Sequence, residues 1–220
     1  MTPDLAFRLP LAFEYGATLL WALSGALLAA RLRYDIAGIA IVALVSATGG
    51  GLLRDGIFIN DGPPQMLRTP AYIIITVAVS VAVWMLGSHI ERWPHLDHFI
   101  VAVDAAGIGG FALVGLQISI GVGLGLPAAV FVGVINAVGG GVLRDVLVGR
   151  EPDIFKPGVP SALAALAGCL IFLLLTRKLS LYGGTAGIIS VAIVFTGRVT
   201  ALRYNLRTRP AFGFDSPVDD

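Results

Sequence analysis

Seven stretches of roughly twenty mostly apolar residues leave this chain few ways to fold. They cover residues 9–30, 34–58, 70–89, 99–120, 124–148, 160–176 and 183–204. A bilayer core about 30 Å thick takes about 20 residues of helix to cross. Backbone amides in lipid must be satisfied within their own segment, so each stretch predicts a transmembrane α-helix. Composition agrees: of 220 residues, 56% are hydrophobic and 13% charged, with a mean hydropathy of +0.87. The reading is an all-α integral membrane protein. A net charge of +1, with basic residues scattered at the ends of apolar runs, gives no footprint for nucleic acid. The first run, preceded by Arg8 and closed by Ala29 and Ala30, could pass for a signal peptide. Its length and its partner in the repeat described next make it a retained span. Residues 205–220, with Pro210, Gly213, Pro217 and two terminal aspartates, read as a flexible tail.

The segment GGGLLRD, Gly49 to Asp55, returns as GGGVLRD, Gly139 to Asp145, ninety residues later. At that same offset Ala22, Leu23 and Gly25 fall on Ala112, Leu113 and Gly115. Glu14 falls on Asp104, Ser46 on Asn136, and Pro70 on Pro160. The chain therefore reads as a duplication, 1–90 onto 91–180, with a seventh helix at 181–204. Three spans per copy is odd, so the second copy enters the membrane from the opposite face. The result is a 3+3 inverted repeat, which places a pathway or binding site near the midplane where the copies meet. Loop charges set its orientation. Arg8, Arg68, Arg177 and Lys178 lie on the amino-terminal side, against Arg31, Arg33, Arg92, Arg150, Lys156, Arg203, Arg207 and Arg209 on the other. This bias predicts an inner-membrane protein with its amino terminus outside and its carboxyl terminus in the cytoplasm.

Gly49, Gly50, Gly51, Gly139, Gly140 and Gly141 admit two readings. Each glycine in a helix interior costs about 0.8–1 kcal/mol relative to alanine and eases a kink or unwinding in helices two and five. Small residues also let membrane helices pack closely. Symmetric recurrence, each time followed by Arg-Asp, favours paired discontinuities. Arg54 and Asp55 fall toward one face, Arg144 and Asp145 toward the other. Glu14 shares the depth of Arg54, and Asp104 that of Arg144. A charge at mid-bilayer costs at least about 2.5 kcal/mol, so ion pairs Glu14–Arg54 and Asp104–Arg144 are expected. Whether these pairs serve only as scaffolding or also line a pathway stays open at this point. Ser46, Thr48 and Asn136, about a turn before the glycines or closer, would offer oxygens to a passing ion, or would bond neighbouring helices. Arg198 reads as an interfacial arginine snorkelling to the surface, and Asp35 as a helix cap.

Other chemistry finds no footing. His89, His95 and His98 cluster in one loop without an HExxH or cysteine-rich pattern, and no metal site is expected. Cys169 reads as a small buried side chain. Gly121, Gly123 and Gly125 follow a membrane span and lack the Lys-Ser/Thr of a phosphate loop. No Ser-His-Asp or Cys-His constellation appears, so no enzyme activity or cofactor is expected, though bound lipid is. Gly107, Gly109, Gly110 and Gly115 in the fourth span form a small-residue face suited to close packing, available to a subunit contact.

With seven spans, a 3+3 inverted repeat and GGG-x-x-RD in spans two and five, the chain resembles the trimeric intracellular cation channel family in its short prokaryotic branch. The resemblance runs from about Leu9 to Tyr204. It implies a homotrimer with one hourglass pore per protomer, lined by the two glycine-bearing helices beside spans one and four, and permeation chiefly by potassium. It makes the six motif glycines the pore kinks and sets Arg54 and Arg144 near the path. Eukaryotic members carry a lysine motif in the fourth span linked to gating and lipid; here that span holds Asp104 and no lysine. Neither voltage gating by that element nor phosphoinositide binding transfers. Arginines beside a cation path raise its energy unless Glu14, Asp55, Asp104 and Asp145 neutralise them. The competing expectation is a secondary carrier of a small amino acid such as glycine, because inverted repeats with broken helices recur among carriers.

Overall fold

A computed structural model describes residues 9–87, 92–152, 154–155 and 161–204. The tail with Arg207 and Arg209, together with Arg8, His89, Lys156 and Pro160, lies outside them. The described residues form an all-helical bundle: α1 Leu11–Arg31, α2 Ile36–Leu53 continued by a π-helical turn Arg54–Ile59, a short α3 Gln65–Arg68, α4 Ala71–Met85, α5 Leu96–Gly121, α6 Leu126–Leu147, α7 Ser161–Arg177 and α8 Gly183–Arg203. Among the described residues five helices are long and apolar enough to cross a membrane: Leu11–Arg31, Ile36–Ile59, His98–Gly121, Leu126–Leu147 and Gly183–Arg203. The third and sixth expected spans form shorter apolar helices, α4 of 15 residues and α7 of 17. At 1.5 Å per residue these reach only about 22–26 Å, short of the roughly 30 Å core.

Local chemistry sets the ends. Asp35 caps α2, its carboxylate accepting the Gly38 amide at 2.8 Å, as its position suggests. Gly125 and Pro127 open α6, where proline's missing amide is no loss. The exits of α1 and α5 are the same turn ninety residues apart. The Tyr34 amide reaches the Ala29 carbonyl and the Leu124 amide the Ser119 carbonyl, at 3.1 and 3.0 Å.

The packing is inverted relative to a soluble protein. Large apolar side chains such as Ile41, Ile74, Met85, Phe131, Leu163 and Ile188 point outward, while the interior mixes alanine, glycine, serine and threonine with larger side chains such as Trp21, Leu113, Leu116 and Phe172. That distribution suits lipid outside and close helix contact inside. Cys169 is fully buried, as expected of a small side chain. The glycines of the fourth span are also consumed inside the protomer: Gly107 faces Trp21, Gly110 faces Ala17, Gly109 faces Val191 of α8, and Gly115 faces Asn136. The expected intersubunit face is therefore an intramolecular one. Sequence shows that a small-residue stripe seeks a close neighbour, but not which neighbour arrives.

At the doubled glycine motif helical structure continues through Gly49–Gly51 and through Gly139–Gly141, so of the kink or unwinding that the glycines would ease, the unwinding does not occur. The absent side chains let α2 and α6 cross in near backbone contact. A methyl on Gly50 would strike the carbonyl oxygen of Asn136, and one on Gly140 the carbonyl oxygen of Ser46. Keeping the helical bonds satisfies the amides that unwinding would strand in an apolar interior. The departure from α geometry comes one turn later and in one copy alone, at Arg54–Ile59.

Candidate functional site

Two buried charge clusters flank the glycine crossing. Short connections alternate the helix directions, so α2 and α6 run antiparallel, and Arg54 and Arg144 lie toward opposite ends of the bundle.

In the first cluster the π-helical turn sets Arg54 and Asp55 side by side. Arg54, only 2% exposed, donates from Nε to Asp55 Oδ1 at 2.6 Å and from Nη2 to Oδ2 at 3.0 Å. Such a bidentate charge-assisted pair is among the stronger polar contacts available. Asp55 Oδ2 also accepts the Gln65 amide at 2.8 Å, which ties the start of α3 to the cluster. Glu14, from the first turn of α1, accepts a hydrogen bond from the Tyr72 hydroxyl of α4. Glu14, Thr48, Gly51, Arg54, Asp55 and Tyr72 share a cavity of about 20 Å³, enough for one water.

In the second cluster Arg144, 5% exposed, donates from Nε to Asp145 at 2.8 Å and from Nη1 to the Ser24 hydroxyl at 2.6 Å. Its Nη1 also stands 3.2 Å from Asp104 Oδ1, and Ser24 in turn donates to Asp104. The Trp21 ring lies 5.6 Å from the guanidinium carbon, a cation–π distance. Trp21, Asp104, Gly141, Arg144, Asp145 and Arg198 line a cavity of about 50 Å³. Arg198 of α8 is 8% exposed and donates to Ser161 at 2.6 Å. It thus turns inward to this cluster, where snorkelling to the surface was expected.

Of the two expected ion pairs, Asp104–Arg144 forms. Glu14 and Arg54 share a cavity but take Tyr72 and Asp55 as their closest partners. Tyr72 comes from a helix the ninety-residue arithmetic did not connect to Glu14, and the π-helical turn aims Asp55 back onto Arg54. Tyr72→Phe is expected to lower stability by about 1 kcal/mol, because a partly buried carboxylate loses its donor. A melting temperature unchanged from wild type in detergent would contradict that contact. Ser24, Trp21 and Tyr72 escaped the motif search. The one available signal was Trp21, an aromatic ninety residues before Phe111, which lines the first cavity.

The polar residues at the crossing divide by role. Thr48 lines the first cavity, while its hydroxyl donates to Leu44 O of its own helix at 2.7 Å. Asn136 donates to Phe111 O at 2.7 Å. Ser46 Oγ and Asn136 Oδ1 are buried with no hydrogen-bond partner among the described residues. Both sit where α2 and α6 cross, between the two charged cavities.

This arrangement, a helical core with charged cavities at both ends, belongs to a helical membrane protein with a TRIC-like fold. A TRIC trimeric intracellular cation channel orthologue from Rhodobacter sphaeroides superimposes with a TM-score of 0.81 at 28% identity, over 89% of this chain and 98% of that one. A second TRIC cation channel matches with a TM-score of 0.77 at 27% identity, over 91% and 96%. The family model described as "Glycine transporter" matches residues 11–88 and again 101–177, and the chain belongs to that family. Among its curated relatives, the UPF0126 inner membrane protein YadS of Escherichia coli is 30% identical over 90% of this chain and 93% of its own length. A UPF0126 membrane protein of Deinococcus radiodurans is 32% identical over 77% of each.

Proposed function

We propose that the protein is a homotrimeric cation channel of the inner membrane, with potassium as its chief permeant ion and one pore per protomer between α2 and α6. The carrying observation is the pair of buried Arg-Asp clusters at opposite ends of the glycine crossing, on a fold shared with cation channels. Glu14, Asp55, Asp104 and Asp145 offset the arginines, so a cation approaching either cavity is not repelled by an uncompensated guanidinium. Ser46, Thr48 and Asn136 supply oxygens along the intervening stretch. The repeat units are 1–90 and 91–180, inverted across the membrane, with 181–204 added. The amino terminus faces outward and the carboxyl terminus the cytoplasm. No cofactor is required.

In the conformation described the glycine crossing brings α2 and α6 into near backbone contact, so conduction requires the helices to part there. Arg54 and Arg144 are the natural latches, because each is held by carboxylates that an arriving cation would compete with. The second reading, a carrier of glycine, takes its support from the description of the family model. Purified protein in a planar bilayer under a potassium gradient separates the two. Unitary currents reversing near the potassium equilibrium potential are expected. Silence in the bilayer together with saturable glycine uptake into liposomes would replace the channel by the carrier.

A further inference from the structure

The two charge clusters are built alike but not charged alike. The ninety-residue offset sets α1 on α5, α2 on α6 and α4 on α7, and leaves α8 without a counterpart. That helix lies against the second copy. A methyl on Gly109 of α5 would meet Val191, and one on Gly168 of α7 would meet Val194. Val191, Val194 and Arg198 share one helix face, so the contact that seats α8 also carries Arg198 into the second cavity. Ninety residues before Gly109 and Gly168 stand Leu19 and Ala78, both exposed. Among the described residues no helix covers the first copy in the same way.

The polar partners differ accordingly. In the first cluster Tyr72 of α4 reaches Glu14. Its counterpart on α7 is Ala162, which has no side-chain donor, and the residue before it, Ser161, accepts from Arg198 Nη1 at 2.6 Å. A neutral hydroxyl stands at one end where a guanidinium stands at the other. The first cavity is lined by one guanidinium, Arg54, against two carboxylates, Glu14 and Asp55. The second is lined by two guanidiniums, Arg144 and Arg198, against two carboxylates, Asp104 and Asp145. One end therefore carries a surplus negative charge and the other is balanced. In water a unit charge about 7 Å away changes the local concentration of a monovalent cation roughly twofold to threefold.

We propose that Arg198 makes the path one-sided: it cancels the surplus carboxylate at its own end, leaves cations drawn to the end that holds Glu14, and so makes the potassium current rectify. The inference rests on the channel reading and gives α8 a part in conduction that the repeat alone would not supply.

Single insertions of the full-length protein in planar bilayers, with equal potassium chloride on both sides, read the ratio of unitary currents at equal and opposite voltages. In wild type a ratio of about two to three is expected at about 0.1 M salt, falling away at about 1 M, where the screening length drops from about 10 to about 3 Å. Arg198→Gln, which can still donate to Ser161, is expected to make the two currents nearly equal, and Arg198→Lys to keep them unequal. Glu14→Gln removes the surplus from the opposite end and is also expected to equalise them. Equal currents in a conducting wild type, or wild-type rectification persisting in Arg198→Gln or in Glu14→Gln, would overturn the proposal and leave the channel reading standing. Silence of the wild type would remove both.

Discussion

Gly140→Ala and Gly50→Ala are expected to destabilise the protein by about 3 kcal/mol or more each, the upper end for overpacking a tight contact. In each case the added methyl falls on a main-chain carbonyl of the facing helix, that of Ser46 or of Asn136. A carbonyl cannot rotate out of the way as a side chain can, so the two helices must separate along the whole crossing. The other motif glycines form a ranked series. At Gly49 and Gly139 the nearest atoms are the ends of Leu143 and Leu53, at 2.9 and 2.8 Å, which can swing, though the opposing glycine Cα lies close behind. At Gly51 the nearest atom is Arg54 Nη2 at 3.8 Å, an ordinary contact. Gly51→Ala is therefore expected to be neutral or to stabilise by up to about 1 kcal/mol through helix propensity. Unfolding of the purified variants in detergent reads the series. Equal melting temperatures for Gly51→Ala and Gly140→Ala would mean that the motif does not act through this contact.

Arg144→Met is expected to cost about 3–5 kcal/mol, the range for removing one partner of a buried ion pair. Asp104 and Asp145 would then face each other's charge without the guanidinium between them. Adding Asp104→Asn to that variant should return part of the loss, with a coupling of about 1–3 kcal/mol. A coupling near zero would show that the 3.2 Å contact carries no energy. The same residue bears on gating. Arg144→Ala is expected to change both unitary conductance and open probability in planar bilayers, because the guanidinium occupies one end of the proposed path. If both quantities stay at wild-type values, Arg144 is a scaffold and the latch must be sought elsewhere. Since the variant is destabilised, the comparison belongs on protein that still elutes at the wild-type position in size exclusion.

Much of this was legible before any fold was known, and the reasons are specific. Apolar run length fixed five long helices because lipid permits few alternatives to satisfied backbone. The two shorter helices, α4 and α7, have only 15 and 17 residues, less than a bilayer core requires. Asp35 could be read as a cap because its neighbour sequence decides it. Asp104–Arg144 could be read from spacing because both residues sit near the same end of helices that pack together. Glu14–Arg54 could not, because Tyr72 comes from a third helix and a π-helical turn rotates Asp55 into its place. Arg198 was misread for a similar reason. Depth along a helix says whether an arginine can reach the interface, whereas rotation about the helix axis decides whether it does.

The sequence by itself determined that the chain is a helical membrane protein with charges buried at two corresponding places, since burial of apolar length and pairing of charge are demands each segment carries alone. It also showed six glycines that had to serve something. Only the tertiary structure showed that Gly50 and Gly140 serve contact, because a close approach depends on what stands opposite. Here that is the backbone of the other copy's helix, with a carbonyl where a methyl would have been.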